Sequence, residues 1–141
     1  MASARSRDLT RRECLELIRG RRPVRMAAVS VGGRAPVRVA CFPLPDGDIA
    51  IPTGTDQSLA RAAAGRPVTV QFEQDNPAEQ ERWVVRGAGK ARPLGQRDRP
   101  RTAVDTGIAL AMTYAFENGI RIDVDELVGE RVSGCREPTS W

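Results

Sequence analysis

From Val24 onward, apolar and polar residues trade places at every second position, in short runs separated by glycine turns. "VRMAAVSV" (24–31) leads into Gly32-Gly33, "APVRVACFPL" (35–44) into Asp46-Gly47, and "DIAIPT" (48–53) completes the series. A period of two is what a strand with one buried face requires, and a two-residue glycine turn joins antiparallel neighbours. Residues 24–53 therefore predict a three-stranded meander. In its middle run Val37, Val39 and Cys41 fall on one face, with Arg38, Ala40 and Phe42 on the other.

The alternation resumes in "PVTVQFEQ" (67–74), where Val68, Val70 and Phe72 point one way and Thr69, Gln71 and Glu73 the other. "RWVVRGAGKARPL" (82–94) and "IRIDVDELVGERV" (120–132) supply two more strands. Gly87 and Gly89 allow bending or close backbone approach, as a closing barrel needs. Between the strands lie helical segments. Thr10-Arg-Arg-Glu13 is a capping box, with Leu9 and Cys14 placed as a hydrophobic staple, and Gly20 stops a helix over about 10–19. Asp56 caps a short helix over about 57–64, and Val104, Ile108, Ala111, Met112 and Ala115 give one face of a longer helix over about 100–118. The pattern predicts an α+β chain: a six-stranded, mainly antiparallel β-barrel with short flanking helices. The domain spans 9–132, with residues 1–8 as a flexible leader and 133–141 as a tail.

Absences restrict the chemistry. The 141 residues include no histidine, which removes Ser-His-Asp triads, Cys-His dyads and histidine metal sites. Lys90 is the sole lysine, so a Schiff base would have to form there. Cys14, Cys41 and Cys135 are odd in number and widely spaced, which suits a reducing cytoplasm and argues against a disulfide framework or a zinc site. There is no run of some 18 apolar residues and no apolar core in the N-terminal segment, so a cytoplasmic location with no membrane partner is expected. The basic N-terminal region is interrupted by Asp8, Glu13 and Glu16 and has no interleaved aromatic, so no nucleic-acid partner is expected either.

Four phrases, in order and spacing, resemble the flavin-binding split barrel of the pyridoxamine 5′-phosphate oxidase family. They are "LTRRECLELIRG", "APVRVACFPLPDGDIAIPT", "TDQSLARAAAGRPVTVQFEQ" and "WVVRGAGKARPL". The likeness covers residues 9–94 and, more weakly, 119–132. It implies a split β-barrel, a homodimer, and FMN (or in some branches the deazaflavin F420) at the subunit interface. By motif position it assigns Arg38, Val39 and Ala40 to the flavin ring, Thr53 to the phosphate turn and Gln71 to a ring-side polar contact. The lysine or arginine usual at the helix start is Ser58 here, with Arg61 one turn further along the same face, which predicts a weaker hold on FMN than in typical relatives. The function implied is an FMN-dependent oxidoreductase that transfers hydride to or from a small-molecule substrate. No catalytic side chain is assigned. The alternative keeps the fold without FMN, with F420 or no cofactor, acting on a small acidic metabolite held by Arg38, Arg61 and Arg86. Plainer roles exist for the same residues: Thr53 and Asp56 as helix caps, Arg38 paired across the sheet with Glu73, and Cys41 as a small buried hydrophobe.

Overall fold

A computed structural model of the chain describes residues 5–20, 24–44, 46–94 and 118–133. The elements are β1 (Arg5–Leu9), α1 (Arg11–Arg19), β2 (Arg25–Val31), β3 (Val37–Pro43), β4 (Ile49–Gly54), α2 (Ser58–Ala63), β5 (Pro67–Asn76), a 3-10 turn (Pro77–Glu79), β6 (Glu81–Pro93) and β7 (Asn118–Ser133). The strands pair antiparallel in the order β1-β7-β4-β3-β2-β5-β6, and β6 pairs β7 in addition. Strands β2 to β7 thus close into a six-stranded barrel, and β1 extends the sheet from β7. The expected α+β barrel with short helices is the observed one. The long helix expected over 100–118 lies outside the described residues, apart from its last position, where Asn118 begins β7.

The alternation read from sequence sets the inward face. Val68, Val70, Phe72 and Val85 are buried, while Thr69 and Glu73 are exposed. In β7 the inward residues run Ile120, Ile122, Val124 and then Leu127, a break in the period of two. The register explains it: Gly89 pairs with Val124 but Ala88 pairs with Glu126, so Asp125 is an extra residue in a bulge. A Cβ on Gly89 would sit 1.9 Å from the Asp123 carbonyl oxygen, so the bulged backbone needs glycine opposite it.

The helix α1 begins as expected. The Thr10 hydroxyl accepts from the Glu13 N–H at 3.1 Å, and the Glu13 carboxylate accepts from the Thr10 N–H at 3.0 Å. That backbone hydrogen bond, with Arg7 beside it, holds the Glu13 carboxyl below its ordinary range. Cys14 and Ile18 enter the barrel core, and Cys14 packs where Gly129 leaves room: a Cβ there would lie 2.8 Å from the thiol sulfur. Trp83 is also core, with the Arg25 guanidinium 5.5 Å above its ring centroid.

Residues 5–8, read from sequence as part of a leader, belong to β1, which pairs along β7 from Arg5↔Ser133 to Leu9↔Gly129. Among residues 6–9 only Leu9 is buried, so no apolar alternation marks this strand. Its partner lies some 120 positions away in sequence.

A second apolar cluster, Phe42, Leu44 and Ala50 with Val24 and Leu94 against it, occupies the outer face where β3 meets β4. Beside it Arg121 of β7 holds the Asp46-Gly47 turn. Its Nε and Nη2 donate to Asp48 at 3.0 and 2.7 Å, Nη2 also reaches Asp46, and the other Asp48 oxygen accepts the Val124 N–H at 3.1 Å. Side chains 13% and 20% exposed make the Arg121–Asp48 pair a partly desolvated one. We expect Arg121→Ala to cost about 2 kcal/mol in chemical denaturation, because Asp48 would be left half-buried without its cation. Arg92→Ala, which loosens a pair with Asp123 that is half exposed on both sides, should cost less than about 1 kcal/mol.

Candidate functional site

The site is built by a parting of strands. β3 and β4 pair only at Phe42↔Ala50 and Pro43↔Ile49. Beyond that point β4 runs along β7, from Ile49↔Ile122 to Pro52↔Gly119, while β3 stays on β2 through Val29↔Val37. Continuing the short β3–β4 register would set Ala40 against Pro52 and Val39 against Thr53, but no ladder forms there. Among the described residues, 37–41 therefore form an open strand edge facing 51–54 across a split. Alternate backbone N–H and C=O groups of such an edge point away from the neighbouring strand, free to bind a planar polar group.

The inward phase expected for β3 fades along this edge. Cys41 is fully buried, Val39 half-buried and Val37 61% exposed, because the first half of the strand has lost its cover from β4. Burial pushes the Cys41 thiol up to about 12, and its sulfur lies 3.8 Å from the Val39 carbonyl oxygen, so it is a neutral packing group under the edge.

On the far side of the split stands the turn from β4 into α2. Thr53 is skipped by the β4–β7 register, which passes from Pro52↔Gly119 to Gly54↔Asn118. Asn118 Nδ2 pins this bulge by donating to the Gly54 carbonyl at 2.9 Å. The Thr53 hydroxyl donates to the Asp56 carbonyl at 2.5 Å, and the Asp56 N–H donates to the Thr53 carbonyl at 3.1 Å. Asp56 Oδ1 in turn accepts from the Ser58 hydroxyl at 2.6 Å and the Ser58 N–H at 2.8 Å. Those two bonds, the hydroxyl first, hold the Asp56 carboxyl below its ordinary range, so it is an anion at neutral pH. Arg61 reaches back toward the helix start as its position suggests, and stops on Gln57 Oε1 at 2.9 Å.

The remaining predicted residues lie on the outer face. The registers align Arg38 of β3, Ala28 of β2, Gln71 of β5 and Arg86 of β6 in one cross-strand row. Gln71 Oε1 accepts from Arg86 Nε at 3.2 Å and Nη2 at 2.8 Å. Arg38 faces Ala28, not Glu73, whose carboxylate pairs with Arg82 at 2.7 Å. The sequence-derived residues thus fall in three places: Arg38, Val39 and Ala40 on the open edge, Thr53, Ser58 and Arg61 across the split, and Gln71 on the adjoining outer sheet. The sequence reading missed the contact of Arg86 with Gln71. The register of the β5–β6 hairpin sets it, and the Asn76–Gln80 connection carries no two-residue turn signal to reveal that register.

Solved structures similar in fold include a FAD-binding protein from Mesorhizobium loti, at a TM-score of 0.66 and 17% identity, covering 94% of this chain and 100% of that one. A FAD-binding protein from Mycobacterium smegmatis matches at 0.62 and 15% identity, covering 90% of this chain and 98% of that one. A protein assigned as a pyridoxamine 5′-phosphate oxidase from Corynebacterium glutamicum matches at 0.66 and 17%, covering 93% and 96%. At these identities the likeness is one of fold, and the fold is a split β-barrel, as the resemblance in sequence implies. No protein-family model and no curated protein sequence matches the chain. Among the described residues no helix is long and apolar enough to cross a membrane, and no group of three or more ligating side chains stands ready for a metal ion.

Cys14 and Cys41 are both buried and their thiols are both shifted upward. In a Cys135→Ser chain at mildly alkaline pH, we expect a thiol reagent to label neither in the folded state, and both at the rate of unfolding once denaturant is added. Prompt labelling of the folded protein would contradict this burial.

Proposed function

We propose that the protein is a small flavin-dependent oxidoreductase that binds FMN along the split, between two copies of the chain, and acts on a small-molecule substrate. The observation that carries this reading is the open edge of β3 facing the Thr53 turn, in a fold whose solved relatives include proteins named for FAD binding. A flavin, when bound, supplies the hydride chemistry itself. The protein has to orient it and set its electrostatics, for which no histidine or lysine is needed. That agrees with a chain that has no histidine and a single lysine.

The two sides of the split fit such a cofactor unequally. Backbone groups of Arg38, Val39 and Ala40 suit a flat heteroaromatic ring, and Gln71 offers a polar side chain on the same outer sheet. The turn suits a phosphate less well. Its Thr53 and Ser58 donors are taken by Asp56, and an ionised carboxylate stands where a second anion would have to come, with Arg61 the nearest cation in the turn. Pairing of two chains is supported by the outer sheet, where Met26 and Val128 are about half exposed and Ala28 and Ala40 keep the surface low. The self-satisfied turn also favours a second reading, in which the same cleft serves F420 or a ligand bound without any cofactor.

The deciding experiment is visible absorbance of the natively purified protein, repeated after incubation with excess FMN and desalting, with molecular mass by light scattering. A retained flavin spectrum in a dimer is the expected result. A colourless protein that retains no added FMN would overturn the flavin reading in favour of the second. Asp56→Asn should tighten FMN by roughly three- to tenfold in a fluorescence-quenching titration, because it removes the competing charge while keeping an acceptor for Ser58.

A further inference from the structure

Most arginines of the outer sheet are neutralised. Arg82 pairs with Glu73 and Asp75, Arg92 with Asp123, and Arg121 with Asp46 and Asp48. Arg86 differs. On one side, β7 places Glu126 and Glu130 diagonally across from it, within reach of a long side chain. The guanidinium turns the other way, onto the neutral Gln71 amide. Glu130 instead accepts the Ser6 hydroxyl at 3.0 Å. Among the described residues neither Arg86 nor Arg38 has a carboxylate partner.

The geometry of the Gln71 contact leaves a specific part of Arg86 available. Gln71 Oε1 takes the Nε–H and one Nη2–H, the side-on edge of the guanidinium. The end-on edge, the Nη1 hydrogens and the second Nη2 hydrogen, is unspent. Two parallel N–H donors of that kind match the two oxygens of a carboxylate or phosphate. The side chain is already held in place and its full positive charge is retained, so an incoming anion meets a pre-ordered donor. Along the same row, Arg38 stands two strand spacings beyond Gln71, about 10 Å, with only the methyl of Ala28 between. The row ends at the open edge of β3.

We propose that Arg86, braced by Gln71, and Arg38 form a subsite on the outer sheet beside the split for the anionic group, carboxylate or phosphate, of a small acidic ligand. As the substrate subsite of a flavin enzyme it rests on the reading above. As an anion site it does not.

The test is calorimetric titration of the full chain with succinate at low ionic strength, with and without added FMN, and with inorganic phosphate as competitor. Saturable succinate binding is expected, weakened at least about tenfold in Arg86→Gln and only partly restored in Arg86→Lys, which keeps the charge but loses the fork. Gln71→Leu, which leaves the guanidinium unbraced, should weaken it by about threefold. Displacement of succinate by phosphate would assign the site to either oxyanion, and no displacement would assign it to carboxylates. Equal succinate affinity in wild type and Arg86→Gln, or no saturable binding of either anion, would overturn the subsite. If FMN is retained while succinate ignores Arg86, the subsite alone fails. If FMN is not retained but succinate still depends on Arg86, the flavin reading alone fails.

Discussion

The structure depends on how β7 divides its two edges. One edge pairs with β6 from Glu81↔Ser133 to Pro93↔Ile120, which closes the barrel. The other is shared, with β4 along its first part and β1 along its last. In the gap between them the Val124 N–H is met by the Asp48 carboxylate, itself held by Arg121, so this backbone donor is not orphaned. The split lies on the opposite edge of β4. That strand keeps to β7 as far as Gly54 but leaves β3 after Phe42, so the two strands of one hairpin part company. The candidate site lies where they part.

The split has chemically different walls. The β3 side offers an unpaired backbone edge backed by packed, neutral groups, with Cys41 beneath it. The other side is a compact knot in which Thr53, Asp56 and Ser58 satisfy one another. The first is poised for a guest and the second is poised for itself. Free positive charge lies on the outer sheet at Arg38 and Arg86, away from the knot. A ligand that uses both regions would place its flat, neutral part along β3 and its acidic part over β2 and β5.

What the sequence made legible was whatever repeats locally. The alternation in 24–53 and 67–94, the two glycine turns and the Thr10–Glu13 box each state their structure within a few residues, and each is found in place except at the start of β3, where Val37 and Val39 lose their inward burial. Gly89 was legible as a place where backbones approach, though not as the partner of a bulge at Asp125. The resemblance to split barrels came from the order of such local phrases, and the fold bears it out. What sequence could not show depends on pairing across long separations. Residues 5–8 look like a charged leader because their strand character is conferred by β7. Arg38 seemed able to meet Glu73 until the register put Ala28 opposite it and Arg82 against the glutamate. The joining of Arg121 to Asp48, more than 70 positions apart, has no local signature at all.

The two open edges of this sheet are treated differently. The last part of β7 is covered by β1, a short strand rich in charge. The first part of β3 has no covering strand among the described residues. An uncovered strand is a template on which another chain can add a strand of its own, and repeated addition leads to insoluble polymers. Around the split, Pro36, Pro43 and Pro52 carry no N–H, and Arg38 sets a charge on the exposed stretch, so an incoming strand would find an incomplete and charged ladder. The edge that makes room for a ligand is thereby kept a poor seed for self-association. A chain shortened to begin at Thr10 would lose that protection at the other end, leaving Gly129–Ser133 bare and turning the most paired strand of the barrel into its most adhesive one.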